Sequence, residues 1–380
     1  MEFSWTEDQL RLRSETARFA AERLNNDIVE RDGAGHFDRR GWSLLAEHGV
    51  LRAHVPARYG GDGLDLLPLV LMLEGLGYGC RDNGLTLAVN GQIWTVQQPI
   101  IQFGSEEQKH QFLPRLASGE ALGAHAITEP ESGSDSYSMS TSAEQHSGGY
   151  LINGVKTLIG MAPVCDVVLA FAKTDPEAGR WGISAFLIDI ETEGVTVKPQ
   201  PKMGLRTNPT GELTFSDCWI PESSMLGPAG AGMSISSDSF EWERSFILAS
   251  HVGAMERQLD QSVEYSKKRR QFGQPISQFQ SVANRLADMR LRLEAAKLLL
   301  YQSAWLKSTG RSAQLESALT KLHIAESFLA SSLDSVRIHG GIGYLTEAGI
   351  ERELRDAVGG VIYGGTSDIQ RQLIARLLGT

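Results

Sequence analysis

The spacing of apolar residues changes twice along the chain and divides it into three stretches. Behind Thr6, residues 6–24 carry apolar side chains at helical spacing, and similar patterns recur to about residue 118. From about residue 123 to 229, short apolar or alternating runs rich in Val, Ile and Thr are separated by turns, which is typical of strands. Long helical periods return after the glycine-rich segment 227–234. The pattern predicts an α+β protein.

Three domains follow from this division. We expect residues 1–122 to form an all-helical domain and residues 123–229 to form a small antiparallel β barrel or sandwich. Residues 230–380 are expected to form a bundle of four helices.

The composition excludes several classes of protein. Hydrophobic residues make up 41% of the 380 residues, and no window holds the roughly 18 consecutive apolar residues of a membrane span. The formal net charge of −10 disfavours nucleic acid as a partner. The first residues lack the pattern of a signal or transit peptide, so we expect the cytoplasm. Cys80, Cys165 and Cys218 lack metal-binding spacing, so we expect buried thiols and no metal site.

Four strings lie at the joints between these stretches: AITEPESGSD at 126–135, RRQFGQPISQFQ at 269–280, IHGGIGY at 338–344 and YGGTSDIQ at 363–370. In this order and with these gaps they resemble the acyl-CoA dehydrogenase family of flavoproteins, from about Thr6 to the end. The resemblance implies the acyl-CoA dehydrogenase fold and a homo-oligomer, expected to be a tetramer. It also implies FAD, bound between the β domain and the C-terminal helices and partly across a subunit interface.

The family's cofactor contacts can be placed on these strings. The resemblance assigns them to Ile127, Thr128, Gly133, Ser134, Leu158, Gly160, Arg269, Phe272, Gln280, Arg337, Gly340, Gly341, Tyr363, Thr366 and Asp368. The residue types agree, since arginine is a natural bidentate partner of phosphate and a helix that opens at Thr366 favours an anion. Taken alone, TEPESGSD also fits a plain β-turn, and the basic residues beside Arg269 fit a solvated helix end.

The sequence departs from the family pattern in two ways. Arg337 stands where glutamine is usual, and arginine can still meet a pyrophosphate. Leu158 and Gly160 stand where many members have a tryptophan and a threonine whose hydroxyl meets the flavin. Because glycine leaves space at the reactive edge of the flavin, as in the acyl-CoA oxidase branch, we hypothesise that the reduced flavin reacts with dioxygen.

The usual catalytic base of the family is missing from the YGGT string. Removal of an α-proton needs a positioned base, and in most members a glutamate occupies the position that is Gly364 here. The isovaleryl and long-chain branches instead carry the glutamate on the helix that opens the C-terminal domain, and Glu243 matches that position. Trp242, Phe246 and Ile247 predict a largely apolar surround that raises its pKa. The alternative is a glutamate that only complements the helix dipole or pairs with Arg244.

The resemblance also suggests a substrate. Arg244 and the backbone of Gly364 are expected to contact it, although Arg244 also fits an ordinary surface ion pair. Arg337 and a small residue at 160 are shared with the branch that oxidises L-prolyl groups on peptidyl carrier proteins. We therefore expect an acyl or peptidyl carrier protein with a phosphopantetheine thioester as the partner. A short branched acyl-CoA such as isovaleryl-CoA and a catalytically silent flavin-binding homologue remain the alternatives.

Overall fold

The computed structural model describes residues 4–379, and its first part is helical. Thr6 caps the first helix with a reciprocal pair of hydrogen bonds to Gln9, as the sequence pattern predicts. The helices are α1 (Glu7–Arg23), α2 (Ile28–Ala34), α3 (Arg39–His48), α4 (Leu66–Gly79), α5 (Asn83–Gly91), α6 (Gln98–Phe103) and α7 (Glu106–Ala117). A π-helical segment, Gln92–Gln97, joins α5 to α6.

The middle part is one eight-stranded sheet. Its strands are β1 (Gly123–Ala126), β2 (Ser142–His146), β3 (Gly149–Gly160), β4 (Val167–Lys173), β5 (Ile183–Asp189), β6 (Val195–Gln200), β7 (Thr210–Pro221) and β8 (Met225–Leu226). The order is β6-β7-β3-β2-β4-β5-β8, with β1 on β4.

The expectation of a purely antiparallel sheet needs a correction. β3 pairs antiparallel with β7, with Tyr150 opposite Ile220, but β1 pairs parallel with β4 and β2 meets β4 in parallel at Ser142 and Lys173. Strand direction is set by the route of the connections, and the alternation of apolar residues does not reveal it.

The last part returns to helices, as the sequence predicts. They are α8 (Gly232–Phe246), α9 (Ala249–Lys268), α10 (Gln280–Ser308), α11 (Gln314–His339), α12 (Ile350–Gly360) and α13 (Ser367–Leu377), with a two-stranded hairpin of β9 (Arg270–Gln271) and β10 (Gln274–Pro275) before α10. α9 and α11 run in the same direction, because Gln258 meets Ser332 and Tyr265 meets His339. The ends of these two helices therefore lie side by side.

Glycines bring the N-terminal and C-terminal helices into backbone contact. A Cβ atom on Gly77 of α4 would lie 1.7 Å from the carbonyl oxygen of Ser250, and one on Gly253 of α9 would lie 1.9 Å from that of Glu74. No side chain fits at these distances, so α4 and α9 can pack this closely only with glycine at both positions. The close contact fixes the start of α9, and with it the end of α8.

All three cysteines are free and buried. Among the described residues, no helix is long and apolar enough to cross a membrane, and no group of metal-ligating side chains is assembled.

Candidate active site

The site is built around the last turn of α8. Glu243 is buried, with 9% of its surface exposed, and its backbone carbonyl accepts a hydrogen bond from Ile247. Phe246 and Trp242 of the same helix pack against Trp94 of the π-helical segment, with ring centroids 4.7 Å and 6.0 Å away. This aromatic packing anchors the helix end, so the position of the Glu243 carboxylate is defined by the fold.

Glu243 and Gly364 lie side by side, as the sequence analysis requires of a relocated base. A Cβ atom built on Gly364 would lie 3.1 Å from Glu243 Oε1. Gly364 has a φ of +63° and Gly365 a φ of +82°, a region that favours glycine, so the turn before α13 brings backbone against the carboxylate. The carboxylate therefore occupies space beside the position where a side chain at 364 would begin.

The carboxylate of Glu243 has an altered proton affinity. Burial raises its pKa to about 7, while the charges of Arg244 and Lys321 oppose that rise. None of the described residues donates a hydrogen bond to its oxygens, nor forms an ion pair within 4 Å. The expectation of a largely apolar surround is thus only partly right, because two cations share the site.

Arg244 and Glu241 lie on the same helix but differ in their interaction partners. Lys307 Nζ lies 2.8 Å from Glu241 Oε1, so Glu241 is engaged in an ion pair. The guanidinium of Arg244 lies over the Phe240 ring at 5.4 Å, and its Nε is buried without a hydrogen-bond partner. The alternative of a surface ion pair for Arg244 finds no support among the described residues. A buried, unpartnered donor beside Glu243 is instead available to a bound molecule.

The start of α13 lies against the same turn. Thr366 caps α13 by accepting a hydrogen bond from the Ile369 amide, and Asp368 lies exposed in its first turn. The Oγ of Ser367 is buried without a partner. The helix N-terminus that the sequence predicts at Thr366 is thus present, and it faces the Gly364 turn.

The loop that carries Thr128 is held by an ion pair that sequence reasoning missed. Glu129 Oε1 lies 2.8 Å from Lys156 Nζ, and both side chains are almost fully buried. Ser140 and Thr141 donate further hydrogen bonds to the same carboxylate. Burial alone would raise the pKa of Glu129, but the charge and hydrogen bond of Lys156 lower it to about 2.

The backbone of this loop is held at Ile127 and Thr128 and is exposed at Gly133. Ile127 is buried and its carbonyl accepts from Lys156 at 3.3 Å, while Thr128 accepts a hydrogen bond from the Thr157 amide through its own carbonyl. Gly133 and Ser134 are exposed, and a Cβ atom on Gly133 would meet nothing within 4 Å. The loop is therefore anchored at one end and open at its glycine.

The end of β3 carries two of the positions that depart from the family pattern. Leu158 is 66% exposed with a φ of +58°, and Gly160 is exposed at the strand end. A Cβ atom on Gly160 would lie 3.3 Å from the side-chain oxygen of Asn208, so Asn208 borders the space that glycine leaves. The loop before β7 also contains Leu205, and a Cβ atom built on Gly359 would lie 2.8 Å from Leu205 and 3.3 Å from Tyr363.

Six of the expected cofactor contacts lie far from Glu243. Arg269, Phe272, Gln280, Arg337, Gly340 and Gly341 lie near the ends of α9 and α11 and the start of α10, joined by the stacking of Tyr265 on His339 at 4.4 Å. All six are exposed, and Phe272 has 94% of its surface exposed. α9 has 20 residues, so this distal group is about 30 Å from the start of α9 near Glu243. Within one chain, the distal group therefore lies about the length of α9 away from Glu243.

Comparisons with known proteins place the chain in one family. The N-terminal, middle and C-terminal domain models of acyl-CoA dehydrogenase match residues 6–120, 124–218 and 230–379. L-prolyl-[peptidyl-carrier protein] dehydrogenase of Pseudomonas fluorescens is 42% identical over 380 residues, covering 100% of both chains.

Two solved structures are also similar over nearly their whole length. The prolyl acyl carrier protein oxidase AnaB is 43% identical with a TM-score of 0.98, covering 99% of this chain and 100% of that one. PigA with FAD and proline is 39% identical with a TM-score of 0.96, covering 100% of this chain and 99% of that one. The chain belongs to the acyl-CoA dehydrogenase family, with its helical N-terminal and C-terminal domains on either side of a β domain.

Proposed function

We propose that this protein is an FAD-dependent dehydrogenase that oxidises an L-prolyl thioester carried by a peptidyl carrier protein. The main observation behind this proposal is the buried Glu243 carboxylate, which lies beside the Gly364 turn with no hydrogen bond or ion pair among the described residues. A general base must have a free lone pair and a pKa near the working pH, and Glu243 meets both conditions. The similarity to prolyl-carrier dehydrogenases supports the choice of substrate.

The residues around the site fit a flavin dinucleotide. Ser367 Oγ and Arg244 Nε are buried without partners, and Ser367 lies at the N-terminus of α13, where the helix dipole favours an anion. A Cβ atom would meet nothing within 4 Å at Gly133, Gly340 or Gly341, so a ligand can approach the backbone there. We propose that Ile127, Thr128, Ser134, Leu158, Gly160, Tyr363, Thr366 and Asp368 hold the FAD from one chain.

A second copy of the chain would complete this site. The distal group carries Arg269 and Arg337, which suit a pyrophosphate, but lies about 30 Å from the start of α9. On α10, Leu291, Leu298 and Trp305 are exposed at intervals of seven residues, an apolar stripe that another subunit would cover. We therefore propose a homotetramer in which the distal group of one subunit reaches the FAD of another.

In the proposed reaction, the chain's own residues orient the thioester and move one proton. The N–H of Gly364 has no acceptor among the described residues and would donate to the thioester carbonyl oxygen, which makes the α-hydrogen more acidic. Glu243 Oε1, next to this turn, takes the α-proton. A bound FAD supplies the hydride-accepting chemistry that no amino-acid side chain offers. Removal of one proton and one hydride from the prolyl ring gives a pyrroline thioester.

We propose that the reduced enzyme also reacts with dioxygen. Gly160 lacks a side chain at the end of β3, and the nearest group to the space it leaves is Asn208. A gap of this kind would let a small molecule reach a bound flavin. Air reoxidation of the reduced enzyme should be slowed by Gly160→Thr, and an unchanged rate would contradict the proposal.

We also propose domain boundaries at 122/123 and 229/230. We propose that the protein is cytoplasmic, because the three free, buried cysteines agree with a reducing compartment.

The test is anaerobic bleaching of the bound flavin. L-prolyl carrier protein should bleach the native enzyme, and isovaleryl-CoA should not. The Glu243→Gln enzyme should keep its flavin spectrum and lose the bleaching by the prolyl thioester. Bleaching by isovaleryl-CoA alone would make the protein an acyl-CoA dehydrogenase of short branched substrates, and no bleaching by either thioester would refute the assignment.

A further inference from the structure

Lys321 of α11 is a buried cation that the proposed reaction does not use. Its side chain is fully buried, and its ammonium donates to the carbonyls of Gly360 and Gly365 at 2.7 Å and 2.8 Å. These two carbonyls flank the turn that contains Gly364. The side chain therefore ties the end of α12 to the start of α13 from beneath the turn.

The same side chain lies close to the base. Its Cε would be 3.7 Å from a Cβ atom on Gly364, and Glu243 Oε1 would be 3.1 Å from the same point. The lysine Cε and the carboxylate oxygen can therefore be no farther apart than the sum of these two distances. They nevertheless form no ion pair within 4 Å, and the ammonium donates to the two carbonyls instead.

In this geometry the ammonium can stabilise the charge of Glu243 without occupying the lone pairs of its carboxylate. A direct ammonium partner would occupy the lone pairs of Glu243 and would have to be displaced before a proton could be accepted. A cation held a few ångströms away acts through its field alone, and in a buried site that field is weakly screened. The base thus stays free to react while its charged form is stabilised.

We propose that Lys321 is a positioning residue for the base, holding the Gly364 turn against Glu243 and favouring the ionised form of its carboxylate. The inference rests on the proposed function, in which Glu243 accepts the α-proton. Lys321 itself would remain a cation there, because burial lowers its pKa only to about 8 and the Glu243 charge opposes that change.

Other charged and titratable groups also face the pair. Arg244 favours the ionised Glu243 more strongly than Lys321 does, so Lys321 acts in addition to Arg244. Tyr363 stays neutral because burial raises its pKa, and His251, 3.4 Å from the Tyr363 hydroxyl, stays neutral because burial lowers its pKa to about 3. Glu326 is an anion that acts on Lys321. Among the described residues, Lys321 is thus the cation tied directly to the Gly364 turn.

Three substitutions at one position separate charge from hydrogen bonding. Lys321→Gln keeps N–H donors for the two carbonyls and removes the charge, Lys321→Arg keeps both, and Lys321→Met removes both. On the holoenzyme, the pH profile of kcat/KM for L-prolyl carrier protein should shift upward by about one pH unit in Lys321→Gln and Lys321→Met. In Lys321→Arg the profile should stay near that of the native enzyme.

A readout without turnover makes the test independent of the substrate. Infrared difference titration of the holoenzyme, with Glu243→Gln as the reference that identifies the carboxyl band, follows the protonation of Glu243 directly. The same upward shift should appear in Lys321→Gln, and far-ultraviolet circular dichroism checks that each variant folds. If Lys321→Met does not fold, Lys321→Gln and Lys321→Arg still decide the outcome.

The possible results separate the two proposals. An unshifted Glu243 titration in folded Lys321→Gln overturns the role of Lys321, whatever the activity. Equal losses of kcat in all three variants with an unchanged pH profile would also overturn it, since they would show a purely structural role. If no prolyl thioester reacts with the native enzyme but the titration shifts as expected, the proposed substrate fails while the charge effect of Lys321 stands.

Discussion

Two buried glutamates in this protein have opposite surroundings. Glu129 in the β domain receives hydrogen bonds from Lys156, Ser140 and Thr141, and its pKa is lowered to about 2. Glu243 at the end of α8 receives none from the described residues, and burial raises its pKa to about 7. A carboxylate whose lone pairs are all engaged organises structure, and one left free can accept a proton.

The partners of the two lysines explain this contrast. Lys156 binds Glu129 directly at 2.8 Å, whereas Lys321 binds two backbone carbonyls and reaches Glu243 only through its field. Both pairs are buried, so burial alone does not decide whether a carboxylate is structural or reactive. The difference between Glu129 and Glu243 is the number of hydrogen-bond donors that point at the carboxylate oxygens.

The largest expected effect is on catalysis. Glu243→Gln should lower the rate of flavin reduction by L-prolyl carrier protein by about 10³-fold or more, because a positioned base contributes on this scale. Stopped-flow absorbance at the flavin band measures the rate. Glu241→Gln is the matched control, since Glu241 lies on the same helix but pairs with Lys307. Near-native reduction in Glu243→Gln would show that another group is the base.

The next effect is on stability. Lys156→Met should lower the free energy of unfolding by about 3–5 kcal/mol, because it leaves the Glu129 carboxylate buried without its cation. Urea unfolding measures this loss, and Lys198→Met, at an exposed position of β6, should change little. The double variant Lys156→Met, Glu129→Leu should recover part of the stability. A loss of the same size at Lys198 would mean that the buried pair is not the cause.

The contribution of Glu243 to stability should fall as the pH rises. Its pKa is raised in the folded protein, so the folded state holds the proton more tightly and stability falls as pH rises from about 4.5 to 7. Glu243→Gln removes this term, so its stability relative to the native protein should grow by roughly 3 kcal/mol between pH 4 and pH 8.

Urea unfolding at a series of pH values measures this difference. Asp356, whose pKa burial also raises to about 7, is present in both proteins, and its contribution cancels. A stability difference that does not change with pH would show that Glu243 titrates normally.

The smallest effect concerns the turn itself. Gly364→Ala should cost about 1–2 kcal/mol of stability, because an L side chain is strained at a φ of +63° and its Cβ would lie 3.1 Å from Glu243 Oε1. Gly133→Ala, where a Cβ atom meets nothing within 4 Å, is the control and should cost less. Equal losses at both positions in thermal unfolding would mean that the turn carries no special constraint.

Much of the architecture could be predicted from the sequence because it depends on local patterns. The helical repeat behind Thr6, the strand-rich middle stretch and the Thr366 cap each involve residues close together in the chain. The directions of β1 and β2 relative to β4 could not be predicted, since they depend on pairings between distant strands.

The candidate site, like the fold, could be predicted from the sequence only in part. The sequence by itself determined the family strings, the glycine at 364 and a glutamate on the helix that opens the C-terminal domain. Only the tertiary structure decided that Glu243 lies beside Gly364, that Lys321 sits beneath the turn and that Lys156 engages Glu129. A proton affinity depends on burial and on charges a few ångströms away, and these neighbours come from helices and strands far apart in the chain.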